Sequence, residues 1–135
     1  MATTQQDQKV KLITYVLLRK EGQVYLVRYR IPPNAREGWW IPAPELAFGE
    51  SPDDRCKAVL GSLGIQDGAA TLKEVESFVT RDWHLLFHYV VSTQGDPAPS
   101  PDYETGRWFP LDQLPAAGAF AHGAWERALI QRLTS

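Results

Sequence analysis

Residues 40–65 read WIPAPELAFGESPDDRCKAVLGSLGI, and this stretch decides the fold. Ser51-Pro52-Asp53-Asp54 is a helix start, with serine as N-cap, proline at the first helical position and two carboxylates facing the positive end of the helix dipole. Cys56, Val59, Leu60 and Leu63 follow at i, i+3, i+4 and i+7, and Gly64 supplies the stop. The spacing predicts one amphipathic helix over residues 52–63 whose apolar stripe faces a core. Cys56 belongs to that stripe and reads as an inert core thiol. Just upstream, Trp39-Trp40-Ile41-Pro42 sets two large aromatics before a proline-limited turn.

Outward from this segment the pattern changes to strands. Residues 10–19, VKLITYVLLR, are apolar on both alternating faces, as a buried central strand requires. Glu21-Gly22 is a turn signal, and Gln23 to Ile31 resumes alternation with Arg28 and Arg30 on one side, which predicts a hairpin. Leu72 to Arg81 and His84 to Ser92 alternate as two further strands around Asp82-Trp83. A proline-rich loop, Gly95 to Pro101, leads to a short strand at Arg107 to Phe109. Ala121 to Leu133 closes the chain as a helix with Trp125, Ala128, Leu129 and Leu133 on one stripe. Strands, helix, strands, helix in that order predict an α+β fold, a mixed α/β/α sandwich.

The 135 residues suit one domain over residues 9–135, preceded by a polar segment, residues 1–8, expected to be a flexible tail. Fourteen Lys and Arg against sixteen Asp and Glu leave a net charge of −2, which argues against holding duplex nucleic acid by phosphate neutralisation. No run of about 18 apolar residues and no basic, apolar leader is present, so neither a membrane partner nor secretion is expected. A single cysteine without CxxC or Cys/His spacing excludes an internal disulfide and a structural zinc site, and a cytoplasmic, reducing location is the expectation.

Trp40-Ile41-Pro42-Ala43-Pro44, then Phe48-Gly49-Glu50-Ser51-Pro52, then the helix ending Leu63-Gly64-Ile65 together resemble the Nudix hydrolase box, GX5EX7REUXEEXGU. The segment Glu104 to Pro115 resembles that family's closing strand and the short helix after it. The resemblance implies a Nudix-type α/β/α sandwich with a mixed β-sheet. It also implies descent from enzymes that cleave nucleoside diphosphates linked to another moiety. The box itself departs from the pattern. Counted back from Gly64-Ile65, the positions for Arg-Glu-U-x-Glu-Glu hold Lys57, Ala58, Val59, Leu60, Gly61 and Ser62. Glu50 stands one residue too close to Gly64, and Ala43-Pro44 replaces the Gly-Gly after the proline. Positions 58, 61 and 62 share one helix face, where carboxylates would hold Mg²⁺ against a diphosphate and help to activate water. Ala58, Gly61 and Ser62 offer one hydroxyl between them. No metal is expected there and no cofactor, and the reading is a non-catalytic protein that binds a nucleotide-like ligand or a partner.

Candidate ligand-binding residues are Arg28 and Arg30, with Arg36, near Trp39, Trp40 and Trp83: guanidinium groups pair with phosphate and an indole stacks on a base. The bland alternative is core tryptophans and solvated arginines. The rival reading is a hydrolase with Mg or Mn held by relocated carboxylates, Glu45, Glu50, Asp54 or Glu104, with Glu74 and Glu76 in reserve. Against it, acidic residues at a helix start serve the dipole, and single strand glutamates are ordinarily solvated. His84 and His88 share a strand face but stand about 13 Å apart and cannot chelate one metal. With His122 remote in sequence, all three read as structural or surface residues. The expected partners are a nucleotide or other phosphorylated small molecule and a second copy in a homodimer.

Overall fold

A computed structural model describes residues 9–135; the tail expected at residues 1–8 lies outside the described residues. Five strands form one sheet: β1 (Val10–Lys20), β2 (Gln23–Tyr29), β3 (Ala69–Val79), β4 (Trp83–Ser92) and β5 (Tyr103–Pro110), in the order β3-β4-β1-β2-β5. Only β1 and β4 run parallel, so the sheet is mixed. The β1–β2 hairpin turns at Glu21 and Gly22, both at positive φ (50° and 77°), with Lys20 opposite Gln23, the backbone that a two-residue turn needs to match the strand twist. β2 ends at Tyr29, two residues before the expected limit, because Pro32 and Pro33 open a single 3-10 turn and leave Ile31 in solvent.

Helix α1 (Pro52–Ser62) starts where its sequence signals: Ser51 Oγ accepts the Asp54 N–H at 3.1 Å, and Cys56, Val59 and Leu60 are buried. Cys56 is an interior thiol whose pKa burial pushes up to about 11, as its place on the stripe predicts. Helix α2 (Ala124–Leu133) begins three residues later than expected, since Gly123 stands at φ 64° and cannot extend the helix. The two helices lie on opposite faces of the sheet. The Tyr89 hydroxyl donates to Asp53 of α1, whereas Tyr15, on the other face, packs against Trp125 of α2. This is an α+β fold of the α/β/α sandwich type with a mixed sheet, as expected. β1 lies between two covered faces, which explains its unbroken apolar run: Val16, Leu17 and Leu18 are all 1% exposed or less.

Two local features carry the site. A register shift between Leu72 and Glu74 resets the alternation of β3, so that Glu74 is paired with His88 and Glu76, Phe78 and Thr80 follow on the α2 face. Trp39 and Trp40 lie in an extended segment, Trp39 bridging to Phe120 and Trp40 to Val27, and successive side chains of such a segment point to opposite sides. Trp39 therefore packs edge-on against Phe109, and Trp40 against Tyr29 and His122.

Candidate functional site

Two hollows meet at Pro33 and Ala43. The smaller, about 170 Å³, lies against α1 and is the place where the box would work. Ala58 and Ser62 line it beside Arg55, Asp102 and Tyr29. The Ser62 hydroxyl already donates to the Val59 carbonyl at 2.8 Å, and a Cβ built on Gly61 would point into open space. Mg²⁺ bound against several phosphates needs hard anionic oxygens. The three box positions have none, and Asp54, one turn earlier on the same face, stands alone, so the residues do not fit the metal that the fold's hydrolases imply.

The larger cavity, about 470 Å³, opens on the α2 face. Its floor is the sheet: Ile13 and Tyr15 of β1, His84 and Leu86 of β4, and Phe78 of β3, side by side because Ile13 is registered on Leu86. Trp40, His122 and Trp125 form the wall, while Arg36 and Glu45 stand at the rim with Asn34. Asn34 and Ala35, both at positive φ, make the tight turn that returns the chain toward the cavity, and the Arg36 carbonyl accepts the Trp40 Nε1–H at 2.9 Å. His84 lies flat on Phe78, 4.9 Å between ring centroids and 6° between planes, giving one extended aromatic surface.

The polar groups of this cavity are held in defined states. His84 Nδ1 lies 3.1 Å from the Asp82 carbonyl and His122 Nδ1 lies 3.0 Å from Glu126 Oε2. A carbonyl and a carboxylate only accept, so each Nδ1 carries a proton, and in the neutral tautomer this geometry selects, the lone pair lies at Nε2. Glu126 is fully buried and also accepts the His122 backbone N–H at 2.5 Å, so the carboxylate orients the imidazole twice. Tyr15 is 5% exposed, and its hydroxyl has no partner among the described residues. Burial, helped by the Glu126 charge, pushes its pKa upward, so the phenol is a neutral donor at the cavity floor.

Behind Tyr15 runs a charged row. Arg132 grips Glu74 with two hydrogen bonds, 3.0 and 2.8 Å, and His88 Nε2 lies 2.6 Å from Glu76 Oε1. Donor atoms of Glu74, Glu76 and His88 lie within 4.8 Å of one another. The donor set does not suit a metal: both Glu74 oxygens are engaged by Arg132, and the buried His88 Nδ1 has no partner, whereas a metal-bound imidazole donates its second N–H. Burial lowers the His88 pKa against the opposing pull of Glu76.

Of the expected ligand-binding residues, only Trp40 and Arg36 reach the large cavity. Arg28 lies over the Trp39 ring at 4.5 Å, and Arg30 donates to the Pro101 and Tyr103 carbonyls at 3.1 and 3.3 Å, so neither guanidinium converges on the cavity. Trp39 is 9% exposed, which leaves no open face for stacking. Trp83 is half-exposed on the α1 face, donating to Ser77 Oγ at 2.8 Å. The four carboxylates of the hydrolase reading are dispersed. Glu45 stands at the rim, 3.7 Å from Lys11. Glu50 accepts from the Ala47 N–H at 3.0 Å and from Arg55 at 2.7 Å, which holds its pKa down. Asp54 is exposed in the first turn of α1, and Glu104 lines a separate hollow beside Pro97. Among the described residues no three of them converge. Two earlier readings need correction. Glu74 and Glu76 are not free solvated charges but paired ones, because the bulge turns both toward α2 and β4. His88 is wholly buried, the structural one of the two roles expected of the histidines. His122 is remote in sequence only, since it shares the cavity with His84.

Sequence reasoning missed Tyr15 and the pair His122 and Glu126. The i, i+4 spacing of that pair at a helix start was the available signal.

No protein-family model matches the sequence, and no match is found among curated proteins. Solved structures do match. A MutT Nudix hydrolase from Burkholderia pseudomallei is 22% identical, with a TM-score of 0.66 over 80% of this chain and 88% of that one. A MutT protein from Methanosarcina mazei is 19% identical, with a TM-score of 0.64 over 95% of each chain. An ADP-ribose pyrophosphatase from Streptococcus suis, also 19% identical, gives 0.60 over 92% of this chain and 91% of that one. At such identities the likeness speaks for the backbone alone. The mixed sheet between two helices is the Nudix fold.

Proposed function

We propose that this chain is a non-hydrolysing Nudix-fold protein that binds a nucleotide-like small molecule in the large cavity. The observation that carries the reading is the α1 face, where Ala58, Gly61 and Ser62 stand in the positions that would present three carboxylates. A diphosphate beside this face meets no metal cage. The neighbouring cavity has the size and lining of a ligand site, aromatic and aliphatic side chains with a few placed polar groups. A planar heterocycle lies against Phe78 and His84, offers donors to the Nε2 atoms of His84 and His122, and accepts from Tyr15. Arg36 at the rim takes an attached anion. The Streptococcus suis neighbour is an ADP-ribose pyrophosphatase, which supports a nucleotide as the first class to try.

The test is a panel of nucleosides, nucleotides and dinucleotides, read by melting temperature and tryptophan fluorescence, with product analysis in Mg²⁺ and Mn²⁺. Binding that raises the melting temperature without turnover supports the proposal. Metal-dependent cleavage at ordinary enzyme rates refutes it in favour of the hydrolase with relocated ligands. A panel that moves neither signal refutes the ligand class.

A further inference from the structure

Of the eight large apolar side chains left exposed among the described residues, all but Ile31 and Phe48 gather at one edge of the sheet. Leu72, Val75, Phe78 and Val79 lie on β3, and Val10 and Trp83 lie beside them. β3 is an edge strand of 11 residues without proline, and from Glu74 to Val79 its register with β4 is unbroken. Natural edges of this length are ordinarily blunted by proline, charge or cover. Here Val75 (51% exposed), Val79 (72%), Trp83 (46%) and Val10 (52%) occupy one face: Val79 is registered on Trp83, and Trp83 on Val10. This is the α1 face of the sheet, beyond the reach of α1, which meets the strand at Tyr89.

We propose that β3 is a homodimer interface, pairing antiparallel with β3 of a second copy to make one continuous sheet. The pattern selects a partner and a register. Facing residues of an antiparallel pair lie on the same side of a sheet, so the two-fold axis passes through a residue. Through Val75 it would set Glu74 opposite the partner subunit's Glu76 twice, and through Glu76 it would set that carboxylate against its own copy; like charges directly opposed are destabilising. Through Ser77 no acid meets an acid. Val75 then faces the partner subunit's Val79 twice, Glu76 faces the partner subunit's Phe78, and Glu74 faces the partner subunit's Thr80. The two shelves of valine and Trp83 merge into one apolar surface across the seam. A second copy of this strand thus sets valine against valine on one face and leaves no acid opposite an acid, which favours self-association over an unrelated strand. The junction touches the ligand cavity as well, since Phe78 and Thr80 line it.

Sedimentation of the full chain at roughly 100 µM, above the micromolar constants of weaker standard-sized interfaces, should give a dimer. Val79→Lys should raise the dissociation constant at least about tenfold, a change of about 1.4 kcal/mol. Combining Val79→Lys with Val75→Glu should restore the dimer, because opposite charges then face each other only in the register centred on Ser77. Both positions are exposed, so circular dichroism and melting temperature should stay near wild type; if Val79→Lys unfolds the chain, Val75→Lys tests the same shelf. A wild-type monomer at that concentration, a dimer indifferent to the single substitutions, or a double variant that stays monomeric would each overturn the proposal.

Discussion

The two hollows that meet at Pro33 and Ala43 have opposite chemistry, although one backbone builds both. Against α1 the box positions hold Ala58, Gly61, and Ser62 with its hydroxyl turned back on Val59, and Asp102 is the one carboxylate on the lining. Across the sheet, the cavity under α2 holds polar groups whose orientation is enforced from behind: Glu126 fixes His122, the Asp82 carbonyl fixes His84, and Tyr15 is left with an unused donor. A site retained for binding needs fixed donors and acceptors, whereas a site retained for phosphate chemistry needs anions and a metal. The proposed ligand site rests on this contrast, which can be broken by substitutions that act on one hollow and not the other.

The largest effect is expected at Glu126. Glu126→Ala removes a fully buried acceptor and leaves the His122 backbone N–H and its Nδ1–H unsatisfied, so it should cost about 2 to 4 kcal/mol in urea unfolding. Glu126→Gln separates orientation from stability. Its amide oxygen still serves one donor, but its NH₂ cannot accept from Nδ1–H, so His122 must place its proton on Nε2 and present a donor where it had presented an acceptor. Ligand selectivity should change while most of the stability is kept. A neutral outcome for both variants would show that the cavity wall does not depend on this pair.

On the α1 side, Ala58→Glu, Gly61→Glu and Ser62→Glu together should leave a folded protein with stability near wild type. Gly61→Glu removes a helix-interior glycine with open space at its Cβ, a gain of about 0.5 to 1 kcal/mol that three like charges on one face offset. Mg²⁺ at 100 times its dissociation constant should then stabilise the triple variant by about 2.7 kcal/mol and the wild type not at all. Pyrophosphate cleavage should stay feeble, because Ala43-Pro44 and the one-residue shortening still misplace the opposing loop. Turnover near 1 s⁻¹, on the order of an ordinary enzyme, would show that only the glutamates had been lost.

The contrast between the hollows was half legible in the sequence, and the reason is locality. Everything about α1 lies within one short window, so its cap, its stripe and its missing carboxylates can be counted from Gly64 without knowing any partner. The α2 cavity draws Tyr15, Arg36, Trp40, Phe78, His84, His122 and Trp125 from six separate segments, and no spacing joins them until the strand order is known. Two details defeat alternation itself. The irregularity between Leu72 and Glu74 moves the glutamates to the other face from the one simple counting assigns, and Trp39 and Trp40 fill two places at once because their short bridges divide them between opposite sides. The arginines near these tryptophans looked like a phosphate pocket because proximity in sequence was the only proximity available.

A smaller effect is expected from Tyr15→Phe, which removes the unused donor and nothing else. The ring stays packed against Trp125 and His88, so stability should change by less than about 0.5 kcal/mol, while affinity for a ligand accepting from that hydroxyl should fall about fivefold, or about 1 kcal/mol. Equal affinity in the two proteins would move the ligand away from the cavity floor.

The smallest and most discriminating effect concerns pH. His88 is buried behind Tyr15, and desolvation lowers its pKa below the ordinary 6.5 despite the attraction of Glu76. The unfolded chain therefore takes up a proton at this residue before the folded chain does. When the unfolded state binds more protons, stability rises with pH, so the contribution of neutral His88 is complete above about pH 6.5 and is lost as pH falls through that value toward the folded pKa. Glu74 behaves differently. Arg132 lowers its pKa from 4.5, so its contribution persists through that window and is lost only at more acidic pH. Melting temperatures of wild type and His88→Gln, compared from pH 8 to pH 5, should run parallel above about 6.5, and the wild-type curve should fall faster below it. The ligand cavity supplies the control: if the extra slope comes from His88, it persists in Tyr15→Phe, whose hydroxyl is spent on the ligand rather than on the charged row. Parallel curves over the whole range would mean that His88 binds its proton equally well folded and unfolded, whereas a wild-type curve that rises relative to His88→Gln as pH falls from 8 would mean that His88 is protonated alongside Glu76 in the folded state, the row behind the floor then being an ion-pair network at neutral pH.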